Sequence, residues 1–257
     1  MSSNEEDAEI SKVLFELASN RRASILFEVE KQGLKMQQIA KSLDMTVTET
    51  FRHLQRLSDA KLVEKKVDST YSITSLGNLA TGLLSSFNFI LKNGNYFLEH
   101  DVFCLPYEFV NRLGELSAAE FYGDTLATIN RVRKMVYEAE EYIWAMGEQV
   151  ESSHIQPTKQ KVSKGLKFKF IMQKDLAKTF KNTKEVELLK GSRYLERICV
   201  TLLINEKESV VHLRRRNGEM DYVGFFGTDE KFRKWTRDLF MYYWKRAEQW
   251  YPGIQIK

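Results

Sequence analysis

Apolar residues recur at helical spacing from Met36 onward. Ile39, Ala40 and Leu43 fall on one face, and after a break at Leu43 to Met45 a second stripe runs through Val47, Phe51, Leu54 and Leu57. The pattern predicts two helices joined by a tight turn. Thr46 stands where an N-cap belongs, its hydroxyl placed to accept from the amide of Thr48 or Glu49, and Glu49 occupies the capping-box position. From Leu62 to Thr74, β-forming residues flank a polar Asp68-Ser69-Thr70 tip, which predicts a short hairpin. Leu76, Leu79, Leu83, Leu84, Phe87, Ile90 and Leu91 then keep helical spacing over several turns, a long amphipathic helix. A further helix is expected from about Ala8 to Leu17.

After Leu105 the pattern changes. A short helix ending near Gly114 and a second short piece precede a longer helix with Leu126, Ile129, Val132, Val136 and Ala139 inward. EYIWAMGE, LKFKFIMQ, ICVTLLIN, SVVHLRRR and DYVGFFGT read as strands, with a polar helical segment from about Ile155 to Gly165 between the first two. The closing DEKFRKWTRDLFMYYWKRAEQWYP is an aromatic amphipathic helix expected to cover one face of the sheet. The expected class is α+β: a helix-turn-helix with a hairpin wing over residues 1–75, a linking and dimerisation helix over 76–95, and an α/β regulatory domain over 96–257.

Composition supports globular domains: 43% hydrophobic and 29% charged residues with three prolines leave material for a second core behind the first. A net charge of +4 is mild, so attraction to a polyanion has to come from local clusters. The acidic start MSSNEEDAEISK has neither a basic nor an apolar leader segment, and no apolar run approaches a membrane span, so a cytoplasmic protein is expected. Cys104 and Cys199 are far apart and lack metal-ligand spacing, which predicts free thiols and neither a metal site nor a cofactor.

The chemistry begins on the second helix. Thr46, Thr48, Glu49, Arg52, His53 and Arg56 make its expected polar face, able to bond base edges or phosphate oxygens. Lys65, Lys66 and Tyr71 belong to the hairpin, whose lysines would put positive charge where a wing crosses the DNA backbone. Residues 9–78 resemble the winged helix-turn-helix of arsenical-repressor-like transcription factors, with TFRHLQRLSDAKLVEKK standing at the recognition helix and the start of the wing. The resemblance implies double-stranded DNA as partner and a homodimer. The chain departs from it at Lys61, where the family usually has glycine at the helix C-cap; a left-handed lysine there costs on the order of 1 kcal/mol. The family's cysteine pair is also absent from positions 36–60, so metal sensing does not carry over.

The second half, from about Tyr96 to Tyr251, resembles the effector-binding region of archaeal regulators linked to methanogenesis and filament formation, a sheet domain distantly similar to phospholipase D. FLEHDVFCLPYEFVNRLGELS, AEEYIWAMGEQV and VGFFGTDEKFRKWTRDLFMYYW carry the likeness. Phospholipase D chemistry needs a histidine with a lysine two residues on and an aspartate beyond. His212 is followed by Arg214 instead, and His154 has no lysine at that spacing, so no catalytic residue is expected. His100-Asp101 reads as a packing motif. A sensing role is expected in its place. Arg193, Arg197 and Arg214, with His212 and Tyr222, are candidates to hold a small anionic effector, and Trp144, Met146, Phe225 and Phe226 to wall an apolar pocket. The rival readings are a protein-interaction module or a phospholipase-like phosphodiesterase with an accessory winged helix.

Overall fold

The computed structural model describes residues 11–180 and 186–251. It divides into two compact units between Ser85 and Ser86. In the first, helical residues 11–17 precede α1 (Asn20–Lys31), β1 (Leu34–Lys35), α2 (Met36–Ser42), α3 (Val47–Asp59), β2 (Val63–Lys65) and β3 (Thr70–Ile73). The expected first helix therefore exists from residue 11; Ala8 to Ile10 lie outside the described residues. The strands form an antiparallel sheet in the order β1-β3-β2. Ile25 and Leu26 of α1, Ile39 of α2, and Leu54 and Leu57 of α3 close a core against Leu62, Val63 and Tyr71.

Two helix ends shape the helix-turn-helix. The Met45 amide donates to the Ala40 carbonyl at 2.9 Å with Asp44 left-handed at φ 49°, and the Leu62 amide donates to the Leu57 carbonyl at 2.9 Å with Lys61 left-handed at φ 58°. Both are Schellman caps built without glycine, and the lysine stands where the sequence placed it. Between them, the Thr46 hydroxyl accepts from the Glu49 amide at 3.1 Å and starts α3. The hairpin turns through Lys66 to Ser69, with Ser69 at φ 63°. That is a type I turn followed by a left-handed residue.

Helix α4 (Ser75–Lys92) begins in the first unit and ends in the second, so the expected boundaries at 75/76 and 95/96 lie near its two ends and the division lies inside it. Its first turn passes so close to the hairpin that a Cβ on Gly77 would meet the Leu62 carbonyl oxygen at 2.1 Å.

The second unit holds α5 (Gly94–Glu99), α6 (Tyr107–Val110), β4 (Glu120–Tyr122), α7 (Thr125–Glu138), β5 (Tyr142–Gly147), α8 (Ser152–Ser163), β6 (Lys167–Gln173) and α9 (Lys174–Thr179). After the undescribed stretch come α10 (Val186–Leu189), β7 (Arg193–Leu195), β8 (Val200–Ile204), β9 (Ser209–Leu213), β10 (Gly224–Gly227), α11 (Glu230–Arg246) and β11 (Glu248–Gln249). An eight-stranded mixed sheet runs β11-β7-β6-β5-β8-β9-β10-β4, with parallel pairing only for β5-β6 and β6-β7. The parallel pair β5-β6 needs a crossover, and α8 supplies it. All five expected strands are present; β4, β7 and β11, each two or three residues long, had no periodicity to announce them.

Period-two alternation gives the sheet two distinct faces. Met146, Ile171, Leu202, Val211 and Phe225 point to one, where Phe232, Trp235, Leu239 and Phe240 of α11 cover them. This is the cover expected from the sequence. Ile143, Phe170, Leu203, Val210 and Phe226 belong to clusters on the other face, beneath α7 to α10. On α7 the buried residues are Thr128, Met135 and Val136, while Leu126, expected inward, is exposed. No helix among the described residues is long and apolar enough to cross a membrane.

Candidate nucleic-acid interface

At about 100° per residue, the residues of α3 that face the core are set by Thr50, Leu54 and Leu57. Thr50 fits an apolar interior because its hydroxyl donates back to the Thr46 carbonyl at 2.9 Å. The side opposite the core then carries Thr48, Arg52 and Gln55, all exposed. Val47 and Phe51, expected in the core, are instead 47% and 50% exposed on one flank of this surface. The sequence pattern missed them, and with them Gln55, because a threonine took the buried position that an apolar residue was expected to fill. Arg52 has no ion-pair partner among the described residues.

The other flank is engaged within the unit. Arg56 grips Glu16 with two hydrogen bonds at 3.0 and 2.7 Å, and Glu16 also pairs with Arg22 at 2.9 Å. The Arg56 hydrogen bond holds the Glu16 carboxyl below its ordinary range against the opposing effect of burial. Glu49 lies 3.9 Å from Arg21 and 3.7 Å from the half-buried His53. Of the expected polar face, then, Thr48 and Arg52 point outward, Thr46 serves as the cap, Glu49 and Arg56 brace the helix against its neighbours, and the half-buried His53 meets Glu49 within the helix.

On the wing, Lys65 lies 5.9 Å from the centroid of the Tyr71 ring and Lys66 pairs with Glu64; both lysines are exposed. Tyr71 itself is buried in the core cluster, so it supports the wing from beneath and does not face outward. Val67 at the tip is fully exposed. The arrangement is a hairpin with two exposed lysines, one of them paired with Glu64, beside a helix whose outer side offers a guanidinium, an amide, a hydroxyl and two apolar groups.

The residues expected to hold an anion in the second unit do not converge. Arg193 donates to the Trp244 carbonyl at 2.6 Å and stacks 4.8 Å from that indole. Arg214 donates to the carbonyls of Ile198 and Gly218 and to the Glu148 carboxylate, all within the unit. Arg197 is exposed. Trp144 packs with Phe240 and under Lys169, and Met146 belongs to the cluster on the same face. Phe225 and Phe226 lie in clusters on opposite faces. His212 and Tyr222 do come together, with ring centroids 6.0 Å apart on the α7–α8 face of the sheet. The His212 Nδ1 is 3.0 Å from the Thr201 hydroxyl, and burial pushes its imidazole down to about 3. Burial likewise pushes the Tyr222 phenol up to about 12.

Elsewhere, His100 is buried, stacks on Tyr96 at 3.9 Å and reaches the Asp221 carboxylate at 3.2 Å. The two cysteines, remote in sequence, are neighbours: Cys199 Sγ is 3.1 Å from the Cys104 carbonyl oxygen and Cys104 Sγ 3.5 Å from that of Cys199. The contact with Cys199 and burial push the Cys104 thiol up.

These features define a winged helix-turn-helix joined to a mixed α/β sheet unit. No family model and no curated protein matches the chain. Among solved structures, the chain is similar to TrmBL2, an archaeal chromatin protein whose structure is described as showing a novel mode of DNA binding. That match has 15% identity over 90% of this chain and 94% of that one and a TM-score of 0.45. It is also similar to NolR from Sinorhizobium fredii, at 22% identity over 34% of this chain and 93% of that one, TM-score 0.32. A third likeness is to Mb0332 from Mycobacterium bovis, described as a homodimeric winged helix-turn-helix DNA-binding domain, at 21% identity over 36% of this chain and 89% of that one, TM-score 0.32.

Proposed function

We propose that this protein is a sequence-specific regulator of transcription that binds duplex DNA as a homodimer, with α3 in the major groove and the wing on the backbone. The observation that carries the reading is the outward row Thr48, Arg52 and Gln55 on a capped helix, next to Lys65 and Lys66 of the wing. A major groove admits one helix, where Arg pairs with guanine and Gln with adenine in bidentate fashion. Val47 and Phe51 supply apolar surface of the kind that meets a thymine methyl.

Dimerisation is supported by α4. In the first unit it leaves Leu79 and Leu83 70% and 66% exposed, with Leu76 on the same side. A solvent-facing leucine row of this kind is the usual mark of an interaction surface. Within this reading the second unit is a sensing domain, not an enzyme: His212 is held at Thr201, and Arg214, where a phospholipase would need lysine, is occupied by Glu148 and Ile198. Selection of bound duplexes from a random pool tests the function. A pseudo-palindrome with half-sites about 10 base pairs apart is expected to be enriched. If no sequence is retained above random DNA at physiological salt, the reading fails.

A further inference from the structure

The α7–α8 face of the second unit's sheet does not close. Between it and the helices lies a cavity of about 490 Å³, floored by Ala145, Phe168 and Phe170 and roofed by Ile129 and Val132. Sites for drug-sized molecules run from about 300 to 1,000 Å³ and are mostly apolar with a few placed polar groups. The polar groups are present. Thr128 Oγ1, His212 Nε2 and the Tyr222 hydroxyl all belong to residues lining this cavity, are buried, and have no hydrogen-bond partner among the described residues; His154 Nε2, also in the lining, makes no hydrogen bond there but lies against the Glu151 carboxylate. Thr128 is 1% exposed and His212 4%.

Buried polar atoms in folded proteins nearly always have partners, so three with neither a hydrogen bond nor an ion pair around a single hollow mark places where something else supplies the bond. The charge balance says what that is. Among the described residues of the lining the one carboxylate, Glu151, is paired with Arg133 at 2.7 Å, and His154 Nε2 sits 3.1 Å from the same carboxylate. Arg214, two residues beyond His212, is turned to Glu148. An ionised ligand would lose its water without meeting a free counter-charge among the described residues. We infer that the cavity binds a neutral, largely apolar small molecule carrying a hydroxyl or carbonyl oxygen, which hydrogen-bonds with His212, Tyr222 and Thr128. This rests on reading the second unit as the sensing part of the protein. It replaces the arginine-held anion expected from the sequence.

The test uses the full chain and three matched probes: biphenyl, para-hydroxybiphenyl and para-biphenylcarboxylate, titrated by calorimetry. Hydroxybiphenyl is expected to bind at one site per chain and the carboxylate at least about tenfold more weakly. Tyr222→Phe and Thr128→Val should each weaken hydroxybiphenyl by about fivefold, the size of one hydrogen bond, and leave biphenyl unchanged. Ala145→Phe, which fills the floor, should abolish both. The inference is overturned if the carboxylate binds as well as the phenol, if none of the probes binds, or if Ala145→Phe leaves binding intact. DNA affinity measured on the same samples separates the two levels: probes that bind without altering DNA affinity would sink the sensing reading alone, and intact DNA binding without probe binding would sink the cavity alone.

Discussion

Two arginines one helical turn apart on α3 have different work. Arg52 is exposed and has no ion-pair partner among the described residues, whereas Arg56 locks α3 to Glu16. Arg52→Ala is expected to lower the preference for the selected site over random duplex by about 1–3 kcal/mol and to leave urea unfolding unchanged. Arg56→Ala should do the reverse, lowering the unfolding midpoint with little change in sequence preference; a change in preference without loss of stability would move Arg56 to the reading face. Lys61, at φ 58°, carries local strain that glycine would relieve. Lys61→Gly should raise stability by up to about 1 kcal/mol, less any loss from the more flexible unfolded chain. A lowered midpoint would show that the lysine side chain has a role its exposure does not reveal.

At the scale of elements, α4 is the helix whose sequence and environment disagree. Its apolar spacing is that of a buried helix, yet only Ala80, Thr81 and Phe89, with Gly77, are buried along it. A leucine row in water is stabilised by a partner surface, and in the proposed homodimer a second copy of the same row would meet it with two-fold symmetry. Replacing Leu79 and Leu83 together by glutamate should convert a dimer to monomers in sedimentation, and DNA binding should weaken with loss of the second half-site. Unchanged sedimentation would place the dimer contact elsewhere.

For the whole molecule, the buried ionisable groups predict acid sensitivity. His212 has a pKa near 6.5 when unfolded and about 3 in the fold, because burial disfavours its charged form. Between these values the unfolded chain binds the extra proton, so stability is full above about pH 6.5 and is lost as pH falls. At pH 5 the loss from this group is about 2 kcal/mol. His154, also lowered by burial, acts in the same direction. Glu16 adds a second, lower window: its carboxyl is held down by Arg56, so its contribution is present above the ordinary carboxylate range and is lost below it. Urea unfolding of the whole chain from pH 7.5 to 5 should show the decline, and His212→Gln should flatten part of it. A slope identical to the parent's would assign the acid sensitivity to other groups.

The sequence by itself determined the helix-turn-helix, its Thr46 cap, the left-handed Lys61, the hairpin, the five longer strands and the covering role of α11. Each depends on local propensity, capping chemistry or a period of 3.6 or 2 sustained over several residues, and such signals are present in the chain before it folds. Tertiary structure decided which side of α3 faces outward, because Thr50 satisfies its own hydroxyl within the helix and so takes a core position while Phe51 is turned to solvent. It also decided that Arg56, Arg193 and Arg214 are held by partners 40, 51 and 66 residues away in the chain. The cavity was equally out of reach of the sequence. Ala145, Phe168 and Phe170 read as ordinary strand residues, and only the spacing of α7 and α8 above the sheet leaves a space that their side chains do not fill. Periodicity reports which face of an element is apolar; it carries no information about how closely another element packs against that face, and that distance made His212, Thr128 and Tyr222 the lining of a site.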